Sequence, residues 1–66
     1  MTLTLNGESI ELRDPMCLLE LIRQTGGNSE RMAVLVDGQV VRASQFQQHQ
    51  LRDGECVEML TFVAGG

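Results

Sequence analysis

Only one stretch of this chain has the pattern of a helix, and this limits the folds open to it. Asp14-Pro15 predicts the helix start, because Asp14 can cap free N–H groups and Pro15 suits the first helical position. Apolar residues then recur at helical spacing, and Gly26-Gly27 predicts the helix end. A single helix over residues 15–25 can cover only one face of a sheet.

The remaining segments predict short strands between turn pairs. Asn6-Gly7 separates two alternating stretches, residues 2–5 and 9–13, and predicts a β-hairpin. The apolar run of residues 32–36 ends at a second turn pair and predicts a well-covered strand. The other predicted elements are a short strand at 40–41, an irregular or short-helical connection at 43–50 anchored by Phe46, a turn at Asp53-Gly54 and a last strand at 55–63. We therefore expect an α+β fold in which a mixed sheet of four to five strands carries one main helix on one face.

The last strand has apolar residues on both of its sides. Alternation places Val57, Met59 and Thr61 on one side and Glu58, Leu60 and Phe62 on the other. If the first set faces the helix, Leu60 and Phe62 lie on the open face of the sheet. Large exposed apolar side chains there would form a docking patch.

The charge pattern excludes several classes of partner. The net charge is −4, and all five basic residues are arginines spaced about ten residues apart. A nucleic-acid binder needs a concentrated basic patch, so we expect neither nucleic acid nor an anionic membrane as a partner. Residues 1–5 lack the basic start of a signal peptide, which predicts a cytoplasmic protein.

The residue types that carry most active-site chemistry are scarce. Without lysine the chain has no phosphate-binding P-loop and no Schiff-base residue. Cys17, Cys56 and His49 do not have the spacing of a zinc site. We expect no metal, no bound cofactor and no catalytic residue. Cys17 is predicted to be half-buried in the first helical turn, Cys56 to face outward and His49 to lie at the surface or in a turn.

The last two glycines have no evident role in the fold. Gly65 and Gly66 follow the last strand, where side-chain-free residues make a thin and flexible tail. From Phe62 onward the extended chain reaches roughly 13–14 Å, enough to place a terminal carboxylate in another protein's active site. Activation of that carboxylate would make Gly66 an acyl donor. The activating enzyme would have to be a separate protein.

Taken together, these features resemble the ThiS-type sulfur carrier proteins of thiamine biosynthesis, members of the ubiquitin-like β-grasp superfamily. The resemblance covers essentially the whole chain, as one domain over residues 1–66 with residues 63–66 as the flexible tail. The motifs that carry it are Asn6-Gly7, the Leu18-Leu19-x-Leu21-Ile22 helix, Asp37-Gly38, Val41-Arg42 with Phe46, His49, Leu51, Asp53-Gly54-Glu55 and Val63-Ala64-Gly65-Gly66.

The resemblance implies a carrier rather than an enzyme. In such proteins an E1-like, ThiF-type partner uses ATP to adenylate the terminal glycine, here Gly66. Sulfur from a donor such as a cysteine desulfurase then yields a thiocarboxylate, which a ThiG-type thiazole synthase consumes. Gly65 and Ala64 form the slim tail behind the modified residue. Leu60 and Phe62 occupy positions of apolar contact with the activating enzyme, although Leu60 stands where an aromatic residue is expected.

Three other functions fit the same residues. The thiocarboxylate could serve another product, such as molybdopterin, cysteine or a specialised metabolite. The chain could be a ubiquitin-like modifier joined through Gly66 to lysines of target proteins, and a ladder of heavier conjugates in cell extract would then be expected. It could also be a plain β-grasp binding module, whose function would survive deletion of Gly66.

Overall fold

The computed structural model describes residues 1–62, and in that range it contains one α-helix and a single mixed sheet of five strands. The sheet order is β2-β1-β5-β3-β4, with β1 and β5 parallel and the other neighbours antiparallel. The predicted mixed sheet with one helix is confirmed. The strands are β1 Thr2–Leu5, β2 Glu8–Glu11, β3 Met32–Val36, β4 Gln39–Val41 and β5 Cys56–Thr61; the helix α1 is Leu18–Gln24, and short 3-10 helices span Ser29–Arg31 and Ala43–Gln45.

Two tight turns join the outer strand pairs. The φ angles are 50° at Asn6 and 84° at Gly7, and 51° at Asp37 and 81° at Gly38. Positive φ at both central positions matches the right-handed twist of a two-residue hairpin, and Asn-Gly and Asp-Gly adopt it at low cost. Both turns lie where the sequence predicts them.

The predicted start of the helix is wrong by three residues. Helix α1 begins at Leu18 rather than Pro15, and its N-cap is Cys17, not Asp14. The first helical N–H groups bond to backbone carbonyls of the connection before β5. Leu18 N–H donates to the His49 carbonyl at 2.8 Å, and Leu19 N–H donates to the Phe46 carbonyl at 3.0 Å. Backbone carbonyls of a loop distant in sequence therefore cap the start of the helix, whereas the sequence predicts capping by the Asp14 side chain.

The helix end agrees with the prediction. Gly26 has a φ of 79°, and its N–H donates to the Arg23 carbonyl at 3.1 Å. Gly27 N–H donates to the Ile22 carbonyl at 3.1 Å. This pair of bonds is a Schellman motif, which needs a left-handed residue that glycine supplies without strain.

The core lies between α1 and one face of the sheet. Phe46 is only 2% exposed and is the largest buried side chain, so it is the anchor that the sequence predicts for the connection at 43–50. That connection is partly 3-10 helical, also as predicted. The buried apolar residues are Leu3, Leu12, Leu18, Leu21, Ile22, Met32, Val34, Val36, Phe46, Leu51 and Val57.

The corrected helix start can be tested by substitution. Asp14 is exposed, so Asp14→Ala should change the free energy of unfolding by no more than about 0.5 kcal/mol. Asn28→Ala is the matched control, because Asn28 Oδ1 accepts from Glu30 N–H at 3.0 Å and caps the 3-10 helix. Its loss should cost about 1 kcal/mol in urea unfolding. A loss of that size at Asp14 would contradict the observed start.

Candidate functional site

Strand β5 leads toward the C-terminal residues, and its two sides differ sharply in burial. Val57 is fully buried against the core and Met59 is partly buried. Leu60 is 53% exposed and Phe62 is 62% exposed on the opposite side. The predicted alternation and the predicted exposure of Leu60 and Phe62 are both confirmed.

Neighbouring strands enlarge this exposed apolar area. Leu60 lies opposite Ala33 of β3 in the strand register. Leu35 of β3 lies between Val40 of β4, which is 70% exposed, and the exposed carboxylate Glu58 of β5. Directly paired side chains share a face of the sheet. We call the resulting surface the apolar patch: Ala33, Leu35, Val40, Leu60 and Phe62.

The sequence analysis missed three of these five residues. It predicts β3 as a well-covered strand, yet Ala33 and Leu35 are only partly buried, on the face that α1 does not reach. A continuous apolar run is typical of a strand covered on both faces, and that signal was misleading here. Counting helices would have corrected it, since one helix covers one face.

The other half of the open face is polar. Thr4 lies opposite Ser9 in the β1·β2 register, and Thr2 lies opposite Glu11. Thr4 also lies beside Cys56 of β5. Exposed apolar area on this face is therefore concentrated on β4, β3 and the C-terminal part of β5, close to where the chain leaves the sheet.

The predicted tail residues lie outside the part of the chain that the structure describes. Phe62 is the last described residue, and its N–H donates to the Arg31 carbonyl at 2.8 Å. The roles assigned to Ala64, Gly65 and Gly66 remain predictions.

His49 is more buried than the sequence predicts. Its side chain is 27% exposed, and Nε2 lies 3.3 Å from Oε2 of Glu55, whose side chain is 12% exposed. Glu55 Oε1 accepts from Arg52 N–H at 2.7 Å, which fixes the carboxylate. The pair borders a cavity of about 420 Å³ beside β4, whose other lining residues include Val36, Asp37 and Gln39. This cavity contacts the apolar patch only through Val40.

The two cysteines lie in different elements of the fold. Cys17 is half-buried, as predicted, but it precedes the helix and pairs with Gln50 in an isolated β-bridge. Cys56 is exposed on the polar half of the open face, also as predicted, and both thiols are free. Within residues 1–62, no three His, Cys, Asp or Glu side chains come close enough to hold a metal ion.

Residues 1–62 also contain no helix that is long and apolar enough to cross a membrane.

A protein-family model and two solved structures match this chain, and they agree on its family. The model of the ThiS family matches residues 3–66. The crystal structure of a thiamine biosynthesis protein (ThiS) from Geobacter metallireducens superposes with a TM-score of 0.85 over 100% of both chains, at 29% identity. A solution structure of a thiamine biosynthesis protein from the same organism gives a TM-score of 0.81 at 29% identity, covering 100% of this chain and 88% of that one. These matches confirm the β-grasp fold and the family resemblance.

A relative in Porphyra purpurea has no described activity. The protein ycf40, named as uncharacterized, is 29% identical over 66 residues, which is 100% of this chain and 93% of that protein. The similarity to this protein therefore extends over the whole length of this chain.

The apolar patch predicts a contrast between neighbours on β5. Leu60→Ser should cost at most about 1 kcal/mol of the free energy of unfolding, because the side chain is already 53% exposed. Val57→Ala on the same strand removes fully buried methyl groups and should cost about 2 kcal/mol in urea unfolding. Equal losses at the two positions would show that Leu60 is part of the core.

Proposed function

This chain belongs to the ThiS family, and from that membership we propose that it is a sulfur carrier protein of thiamine biosynthesis. In this proposal the chain is not an enzyme. It is the protein substrate that an activating enzyme loads with sulfur and that a thiazole synthase unloads.

The proposed chemistry takes place at the carboxylate of Gly66. An ionised carboxylate is a poor acceptor for nucleophiles. An E1-like, ThiF-type adenylating enzyme would therefore join it to the AMP part of ATP, with release of pyrophosphate. The outer sulfur of a persulfide, supplied by a donor such as a cysteine desulfurase, then displaces AMP and leaves an acyl disulfide. A thiol reductant cleaves the S–S bond of this acyl disulfide, so that the donor's own sulfur leaves in a disulfide with the reductant and the thiocarboxylate remains. A ThiG-type thiazole synthase takes this sulfur for the thiazole ring.

The observation that carries the proposal is the extent of the family match. The match runs to residue 66 and so includes the tail, Val63-Ala64-Gly65-Gly66, rather than the sheet alone. A β-grasp domain used only for binding has no need of two side-chain-free residues there. The narrow tail suits passage through a channel that closes on the chain.

The apolar patch supports the same proposal from the folded part of the chain. Leu60 and Phe62 are exposed on the strand that leads to the tail, where an activating enzyme must approach. Interfaces commonly have an apolar centre within a polar rim, and the polar half of the open face supplies such a rim on one side. We propose that the adenylating enzyme docks on the apolar patch and receives the tail beside it.

The remaining features of the proposal follow from this role. The chain binds no cofactor of its own, because ATP is bound and used by the partner. Residues 1–66 act as one carrier domain, with residues 63–66 as its reactive tail. The protein works in the cytoplasm, and it binds neither nucleic acid nor membranes.

Adenylation gives the first test of the proposed function. With a ThiF-type enzyme and ATP, the wild-type chain should cause pyrophosphate release, and deletion of Gly66 should abolish it. Gly65→Val should lower the rate about 100-fold, because a β-branched side chain displaces the reacting carboxylate in a narrow channel.

Cys56→Ser is the control for this assay. Cys56 is exposed at the start of β5, at the opposite end of the strand from Leu60 and Thr61, so its replacement should leave the rate unchanged. Pyrophosphate release at the wild-type rate without Gly66 would contradict the proposal.

A further inference from the structure

Strand β1 pairs with only the first part of β5. The parallel pairing of β1 with β5 has only two registered pairs, and the last is Leu5 with Val57. Asn6 then continues the ladder in an unusual way. Its N–H donates to the Val57 carbonyl at 2.9 Å, and its side-chain Oδ1 accepts from Met59 N–H at 2.7 Å.

The φ of 50° at Asn6 explains why its side-chain carbonyl, and not its backbone carbonyl, bonds to Met59. At that angle the chain already turns toward β2, so the backbone carbonyl of Asn6 is no longer available to Met59. The side-chain carbonyl takes its place. Asn6 thus makes the last bond to β5 and at the same time directs β1 away from it.

The part of β5 beyond this bond has a free edge on the same side. Asp37 N–H donates to the Cys56 carbonyl, and Phe62 N–H donates to the Arg31 carbonyl. The backbone N–H and C=O groups of the even-numbered residues of β5 therefore point toward β3. By alternation, Met59 C=O and Thr61 N–H point to the β1 side. Among residues 1–62 neither group has a hydrogen-bond partner.

This edge lacks the features that usually protect one. Native sheet edges are blunted by proline, by charged side chains or by bulges. Residues 59–61 are Met, Leu and Thr, and the backbone keeps a regular register with β3 there. Thr61 is exposed, and its sequence neighbours Leu60 and Phe62 of the apolar patch present their side chains on the open face.

We propose that an extended segment of the adenylating enzyme adds to the sheet along residues 59–61 of β5. In the complex, Thr61 N–H donates to a partner carbonyl and Met59 C=O accepts from a partner N–H. Apolar side chains at alternate positions of the partner segment then pack on Leu60 and Phe62. Strand addition of this kind takes affinity from main-chain bonds and specificity from the alternating side chains.

The inference rests on the proposed function for the identity of the partner. Its consequence for that function is directional, since the proposed strand pairing at residues 59–61 comes shortly before the proposed reactive residue, Gly66. A partner strand on this edge fixes the position of the last residues of β5. It thereby sets the direction in which the following residues, 63–66, reach into the partner.

Hydrogen exchange measured by NMR tests the free edge and its occupation. In the free chain, the Thr61 amide should exchange at least about tenfold faster than the amides of its neighbours Leu60 and Phe62, whose N–H groups point toward β3. With a ThiF-type enzyme and ATP, exchange at Thr61 should slow at least about tenfold, to the range of its neighbours.

A backbone variant tests the same bond by affinity. Cys56 allows ligation of a synthetic segment 56–66 in which an ester replaces the Leu60–Thr61 amide. The ester removes the Thr61 N–H and also weakens the Leu60 carbonyl as an acceptor toward β3, so binding is measured at a temperature where the ester chain is fully folded. Affinity for the enzyme should then fall about tenfold. An all-amide chain made by the same ligation is the control. Thr61→Val, which keeps the N–H, should bind as the wild type does.

The outcomes separate this inference from the proposed function. If the chain is adenylated normally but Thr61 exchange is unaltered and the ester binds as tightly as the amide, strand addition is wrong and the carrier function stands. If no complex and no adenylation occur with a ThiF-type enzyme, both proposals fail.

Discussion

One short helix must cover a sheet of five strands, and most features of this molecule follow from that constraint. Helix α1 has seven residues, and the side chains it buries meet only one face of the sheet. The core is therefore one-sided. Within residues 1–62, the apolar residues of β3, β4 and β5 on the side away from the helix are not covered by another element, and they form the apolar patch. The surface that we propose as the docking site of the adenylating enzyme is thus a direct consequence of how small the fold is.

The connection before β5 compensates for the shortness of the helix. It places Phe46 in the core and offers the Phe46 and His49 carbonyls to the first helical N–H groups. One segment therefore supplies the largest core side chain and also completes the helix start. The positions of the helix and of this connection are therefore coupled through the two hydrogen bonds at the helix start.

The sequence predicts local features of this fold better than features that depend on distant contacts. Asn6-Gly7, Asp37-Gly38 and the Gly26 helix end are correctly predicted, because each depends on the φ preference of the residues themselves. The helix start is not, because its capping carbonyls come from residues about thirty positions later in the chain.

The candidate site was predictable to a similar degree. Exposure of Leu60 and Phe62 follows from alternation along one strand and one helix. Val40 and Leu35 were missed, since their membership of the patch depends on strand order and register. The second role of Asn6, in bonding Met59, depends on a parallel pairing across the whole chain and leaves no local signal.

The central claim is that Gly66 carries sulfur, and mass spectrometry of the intact chain with fragmentation tests it most directly. The chain would be incubated with a ThiF-type enzyme, ATP and a sulfur donor labelled with a heavy sulfur isotope. The label is needed because exchange of oxygen for sulfur and oxidation of methionine add nearly the same mass, and the chain has four methionines. The account predicts an ATP-dependent, isotope-shifted gain on the fragment that contains Gly66. A gain without the isotope shift, or an unmodified tail beside a known carrier loaded in parallel, would contradict it.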